Sequence, residues 1–343
     1  MLKKIFPIMK DVWMRYDIPA RNRHLTLFAL TLFTMTMAGF DLSVHRLFSA
    51  KLLDGLIYSS SAMSVLLVHS FAHIYQARSY GLSVSLPYLI PMPLMSPFGT
   101  LGAFVRLHAV PVDKKSLFDI AFWAPALSFI LSTLLTVVGV KLTELSPTTS
   151  GFENPLVVEW IAQLFWEIPQ GYDLALHPLL LAGWGGLFFT AINLFPLGEL
   201  DGGQIAYAIF GKRQREIAYI FMGFLIFLAF QYPLWFAFVL IFVYLGVEHP
   251  DIHRFQQSIF GDTSFSTSGE RSLDKHRQIL AVIAILIFIV TITIKPFEAP
   301  KSHVRSINPF EFRAPPTPEE RGPVPLPKKP PAPSEDTGED LSI

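Results

Sequence analysis

The apolar residues of this chain are gathered into unbroken blocks, and that pattern constrains the fold more than any other feature. Residues 25–40, 118–140, 178–197, 217–230, 233–247 and 279–294 are almost free of charge. A soluble domain interrupts its apolar positions at helix or strand period. A helix crossing a hydrocarbon core instead needs roughly 17–25 apolar residues in succession. The last two blocks run short of that length, and residues 52–77 supply a further, less apolar span. With 51% of its residues hydrophobic and 16% charged, the chain is expected to be an all-α polytopic membrane protein with about six to seven transmembrane helices.

Basic residues beside the spans mark the cytoplasmic side. Residues 1–24 carry Lys3, Lys4, Lys10, Arg15, Arg21 and Arg23; the connection after the fourth span carries Lys212, Arg213 and Arg215. The connection after the second span is also basic, whereas residues 142–176 hold five acidic residues and no Lys or Arg. Seven spans satisfy this pattern, with 142–176 and the C-terminal tail outside and residues 247–278 cytoplasmic. The basic leader contains no serine, unlike an organellar transit peptide, and the first span is followed by no small-residue cleavage site, so it reads as a retained helix. A bacterial cytoplasmic membrane is the expected location. The absence of cysteine excludes disulfides and thiolate metal sites, and a net charge of zero gives no sign of a nucleic-acid partner.

Three regions follow: a basic cytoplasmic N-terminus (1–24), a membrane-embedded core (25–295) and a tail (296–343). The tail is rich in Pro, Glu and Lys, cannot bury a core, and is expected to be disordered with polyproline II character. Segment 81–106 is apolar yet holds Pro87, Pro91, Pro93 and Pro97, then Gly99 and Gly102. Prolines this dense forbid a helix, and irregular backbone at membrane depth needs protein or a water-filled cavity around it. A re-entrant Pro/Gly-rich hairpin is expected, with an edge able to take an extended peptide by strand addition; an ordinary interfacial loop is the plainer alternative.

The chemistry concentrates at two places. His69 and His73, separated by Ser70-Phe71-Ala72, lie one above the other on a helix about 6 Å apart, a spacing that suits two imidazoles on one cation. Counted from Leu53, His69 lies about 25 Å along the span, in its cytoplasmic third. An ionisable group at that depth is a functional candidate, although packing or hydrogen bonding between spans would also account for such a pair. The fourth span ends Asn193-Leu194-Phe195-Pro196-Leu197-Gly198-Glu199-Leu200-Asp201-Gly202-Gly203. Pro196 and Gly198 break that helix and let Asp201 turn inward at the depth of His73. A buried carboxylate needs a partner charge, and two imidazoles with one carboxylate form a common catalytic zinc set; capping or ion pairing is the alternative for Asp201.

These residues resemble the site-2 protease family of intramembrane zinc metalloproteases, which pairs a HExxH helix with a downstream N-x-x-P-x-x-x-L-D-G segment. Asn193, Pro196, Leu200, Asp201 and Gly202 occupy the fixed positions of the second motif. The likeness extends to Pro97-Phe98-Gly99-Thr100, to Phe118-Asp119-Ile120 and to His177-Pro178 before Gly183-Trp184, so it covers most of residues 50–295. The resemblance implies cleavage of a single-pass transmembrane substrate that enters from the lipid bilayer. It also implies Zn2+ held by His69, His73 and Asp201, and a role for Asn193 in holding the substrate backbone or the developing oxyanion.

Three positions depart from the pattern: Gln204 after Gly203 and Ala124 before Pro125 touch no ligand, but Ser70 stands where the family has its catalytic glutamate. That glutamate takes a proton from the attacking water and passes it to the leaving amine, work for which a serine hydroxyl has far too high a pKa. Efficient cleavage by the family mechanism is therefore not expected. The chain is a pseudoprotease that binds membrane proteins, or its base has moved, with Glu199 the nearest candidate, or Ser70 is an inactivating change. A small transporter would also place polar residues on broken helices, but the two motif segments do not repeat one another; a membrane scaffold remains if no metal binds.

Overall fold

A computed structural model describes residues 18–93, 96–108, 113–146, 151–169, 172–249 and 273–297. The first 17 residues, the segment 250–272 and all but the first two residues of the expected tail lie outside the described residues.

Each apolar block becomes a helix: α1 (Ile18–Asp41), α2 (Phe48–Ser79), α3 (Lys114–Leu142), α5 (Pro178–Asn193), α7 (Gln214–Gln231), α8 (Pro233–Leu245) and α9 (Lys275–Thr291). Two shorter helices join them, α4 (Leu156–Phe165) and α6 (Asp201–Phe210). Among the described residues, α2 and α3 are long and apolar enough to cross a membrane. Their 32 and 29 residues extend about 48 and 44 Å, more than the roughly 30 Å hydrocarbon core. The fold is thus mostly helical, and α4 and α6 are too short to have stood out as apolar blocks.

The proline-rich segment forms a small antiparallel ribbon, so the core is not purely α. Strand β1 (Tyr88–Pro91) pairs with β2 (Thr100–Phe104) in the register Tyr88↔Phe104, Leu89↔Ala103, Ile90↔Gly102, with an irregularity at Ile90/Pro91. A second two-stranded ribbon, β3 (Leu145–Ser146) with β4 (Asp173–Leu174), closes the connection between α3 and α5. Pro91 at the end of β1 needs no ladder N–H. The hairpin turn is fixed by side chains: Thr34 Oγ1 donates to the Gly99 carbonyl (2.7 Å) and Tyr58 OH to the Phe98 carbonyl (3.0 Å). Gly99 sits at φ +73°, and a Cβ there would lie 2.4 Å from the Thr34 carbonyl oxygen. Helix α1 packs along β1, while the opposite edge, on β2, has no strand beside it among the described residues.

The tightest packing in the bundle joins α3 to α5. Ser132, Thr136 and Gly139 of α3 face Leu180, Gly183 and Gly186 of α5, and small residues let the two backbones approach closely. A Cβ on Gly139 would lie 2.3 Å from the Leu180 backbone nitrogen. Alanine in a helix interior gains about 1 kcal/mol over glycine by propensity, but overpacking against backbone costs about 1–3 kcal/mol. Gly139→Ala is therefore expected to lower the thermal midpoint in detergent, measured by circular dichroism.

At the other end of the bundle, α9 is tied to α3 by an ion pair, joined by a hydrogen bond from Tyr80 just after α2. Arg277 donates from Nε to Asp119 Oδ1 (2.8 Å) and from a terminal nitrogen to Oδ2 (2.6 Å); Tyr80 OH also donates to Asp119. The Asp274 carboxylate caps α9 by accepting from the Arg277 backbone N–H (3.0 Å), and this bond, with the guanidinium, holds that acid below its usual range. Arg277 and Asp119 are largely shielded from solvent, so removing one charge strands the other. Arg277→Met is expected to cost about 2 kcal/mol and to loosen α9, as read by faster hydrogen exchange at its first turn.

Candidate metal centre

His69 and His73 sit on the inner face of α2, and the first residue of α6, Asp201, is brought against them by the break between α5 and α6. His69 Nε2 lies 3.2 Å from His73 Nε2; Asp201 Oδ2 is 3.5 Å from the first and Oδ1 3.3 Å from the second. All three side chains are wholly or largely buried.

The outer hydrogen bonds fix the ring tautomers. The Ile120 carbonyl can only accept, so the 3.0 Å contact from His73 Nδ1 places the proton there. Ser128 Oγ gives its one proton to the Ala124 carbonyl (2.9 Å) and accepts from His69 Nδ1 at 3.0 Å. Pro125, without an N–H to give, interrupts the α3 ladder in this turn. With Nδ1 of each ring engaged, the Nε2 atoms are the ones turned toward one another and toward the Asp201 carboxylate, whose Oδ2 has no hydrogen-bond partner among the described residues. Two ring nitrogens and a carboxylate gathered this closely are placed to share a cation. Four-coordinate zinc at about 2.0–2.1 Å sets its ligands about 3.3 Å apart, the spacing observed. Two imidazoles and one carboxylate, each imidazole anchored through its far nitrogen, fit zinc and leave one position for water.

Local sequence explains how Asp201 arrives. Helix α5 ends at Asn193, Gly198 turns the chain at φ +48°, and α6 starts at Asp201. The two glycines that follow are required by contact: a Cβ on Gly202 would lie 2.0 Å from the Leu194 carbonyl oxygen, and one on Gly203 2.3 Å from that of Gly198. At a helix N-terminus the carboxylate also meets the positive end of the helix dipole.

The remaining residues singled out from sequence fall outside this convergence. Ser70 is fully buried, and its hydroxyl donates to the Leu66 carbonyl at 2.8 Å, back along its own helix. Asn193 is half-buried at the end of α5. Glu199 is exposed in the loop, and its carboxylate is not one of the groups placed to share a cation with the histidines. Sequence reasoning missed Ser128 and the Ile120 carbonyl. A backbone carbonyl has no side-chain signature, and Ser128 reads as one more small residue on the α3 packing face.

Residues 59–231, half of the chain, match peptidase family M50. The chain belongs to this family. Its site-2 protease relatives include "Probable zinc metalloprotease EGY2, chloroplastic" of Oryza sativa subsp. indica, 30% identical over 200 residues, which are 54% of this chain and 35% of the relative. "Probable zinc metalloprotease EGY1, chloroplastic" of Oryza sativa subsp. japonica is 31% identical over 160 residues, 44% of this chain and 27% of the relative. "Probable zinc metalloprotease EGY3, chloroplastic" of the same subspecies is 28% identical over 195 residues, covering 51% and 33%. The matched part thus spans about a third of the length of these curated relatives. No solved structure matches the chain. The matched segment contains both histidines, Asp201, the hairpin and the α3–α5 packing, so family and geometry converge on the same part of the molecule.

Proposed function

We propose that this chain is a site-2-protease-like intramembrane zinc metalloprotease whose hydrolytic step is impaired. The observation that carries the reading is the convergence of His69, His73 and Asp201 at zinc-ligand spacing within an M50 chain. A zinc ion held there supplies the Lewis acidity and water activation of catalytic zinc sites. The chain's own residues do the rest: α2 and α6 hold the ligands, Ser128 and Ile120 orient the rings, and the β2 edge, with no strand beside it among the described residues, offers backbone groups to an extended segment of substrate. Asn193, half-buried at the end of α5, is assigned to the substrate backbone or the oxyanion. The topology that goes with this reading has six to seven spans in the membrane, with the N-terminus and the metal site toward the cytoplasm; the basic connections support it. The substrate is a single-pass transmembrane protein.

A second reading, a client-binding pseudoprotease, is favoured by one observation: Ser70 replaces the glutamate and spends its proton on Leu66. One experiment separates the two. A single-pass reporter is co-reconstituted in liposomes with zinc and with protein carrying a photo-crosslinker at the exposed β2 residue Leu101. Slow cleavage that vanishes in His69→Ala supports the enzyme. Crosslinking without product supports the pseudoprotease. Neither cleavage nor crosslinking contradicts both.

A further inference from the structure

Asp201 Oδ2 has no hydrogen-bond partner among the described residues, and Oδ1 faces His73 Nε2 at 3.3 Å, so how far the carboxylate stands from the histidines is set by the backbone that carries it. That backbone is the loop between Asn193 and Asp201, on which the α6 N-terminus rests through the close approach of Gly202 and Gly203 to the Leu194 and Gly198 carbonyls. Any shift of the loop must therefore move Asp201.

The loop is fixed from outside by the residues that follow α8. The Gly198 N–H donates to the Val247 carbonyl at 2.8 Å, and a Cβ on Gly198 would lie 2.2 Å from the Gly246 carbonyl oxygen. Gln214, the first residue of α7, joins the two strands of chain: Nε2 donates to the Pro196 carbonyl (3.2 Å) and Oε1 accepts from the His249 backbone N–H (3.1 Å). It is 1% exposed. An amide buried so fully is costly unless both ends are bonded, and an apolar side chain would fill the space more cheaply. The segment is anchored twice more, by the His249 ring stacked on Tyr207 of α6 (4.5 Å between centroids) and by Glu248, which pairs with Arg215 (3.0 Å) and accepts from Tyr219 OH (2.7 Å).

We propose that Gln214 is a positioning residue for the metal ligand Asp201, acting through a strap formed by residues 246–249. This rests on the metal reading of the site. The strap sets how far the Asp201 loop stands from the α2 histidines, so strap contacts and metal binding are coupled, and by linkage each favours the other.

Full-length protein in detergent tests it by zinc titration against a chromophoric chelator. Gln214→Met, which removes both bonds at similar volume, and Gln214→Glu, which sets a carboxylate oxygen against the Pro196 carbonyl in place of the donor, are each expected to bind zinc 10- to 100-fold more weakly, the range typical of lost outer-shell support. Helical circular dichroism should stay unchanged, and Leu225→Ala, equally buried on the same helix, should leave zinc affinity unchanged. Hydrogen exchange on the unmodified protein reads the same coupling with no substitution: zinc should slow exchange across 246–249. Wild-type affinity in a folded Gln214 variant, or exchange over 246–249 that ignores zinc, overturns the positioning role and leaves the metal site standing. Failure of the unmodified protein to bind zinc overturns both.

Discussion

Replacing Ser70 with glutamate is expected to raise cleavage of a single-pass substrate by 10²–10⁴-fold, the usual worth of general acid–base catalysis. His69 and His73 flank this turn of α2, their rings are anchored through Nδ1, and Asp201 completes the set. What is lacking is a group with a pKa low enough to accept a proton near neutrality and to give it to the leaving amine. Ser70 points its hydroxyl back to Leu66, whereas a glutamate side chain is two bonds longer and ionises in the required range. The site is fully buried, so the larger side chain costs about 1–3 kcal/mol of stability by overpacking, and a bound cation offsets part of the cost of burying its charge. The comparison needs folded, zinc-loaded protein in both arms and is read as initial rates of product formation. A folded Ser70→Glu protein that cuts no faster would contradict the assignment of Ser70 to the place of the missing base.

The second large effect falls on metal affinity. Asp201→Asn keeps the shape of the side chain and removes its charge, and it is expected to weaken zinc binding by about two orders of magnitude or more, beyond the 10- to 100-fold seen when only an outer-shell partner is lost. Stability without metal should change little: Asp201 Oδ2 accepts no hydrogen bond among the described residues, and the asparagine oxygen can keep the 3.3 Å contact that Oδ1 makes with His73 Nε2. Because a ligand stabilises the folded state by RT ln(1 + [L]/Kd), zinc should raise the melting temperature of the unmodified protein and leave that of Asp201→Asn almost unmoved. An equal zinc-induced rise in both would remove Asp201 from the ligand set.

Several features were legible in the sequence because they depend on local pattern. The blocks without charge became helices almost at their expected ends. The His69/His73 spacing is a property of any helix, and Pro196 with Gly198 announced the break that turns Asp201 inward. The hairpin and an edge open to strand addition were legible, but not its strands' register or the anchoring of its turn, which Thr34 and Tyr58 supply from two helices far away in sequence. Helices α4 and α6 escaped notice because ten residues are too few for an apolar block to stand out. The supports of the site were the least visible. Ile120 contributes a carbonyl, Ser128 a hydroxyl that looks like packing, and Gln214 an amide that reads as an ordinary polar residue at a helix start. Each acts across the bundle, where pattern along the chain carries no information.

The metal content of the unmodified protein decides most directly whether His69, His73 and Asp201 form a metal centre. Full-length protein, purified in detergent with zinc supplied and then dialysed free of loosely held ions, should carry one zinc per chain by elemental analysis, and His73→Ala prepared in parallel should carry none. Zinc absent from the unmodified protein, or retained in equal amount by His73→Ala, would contradict the metal centre formed by His69, His73 and Asp201.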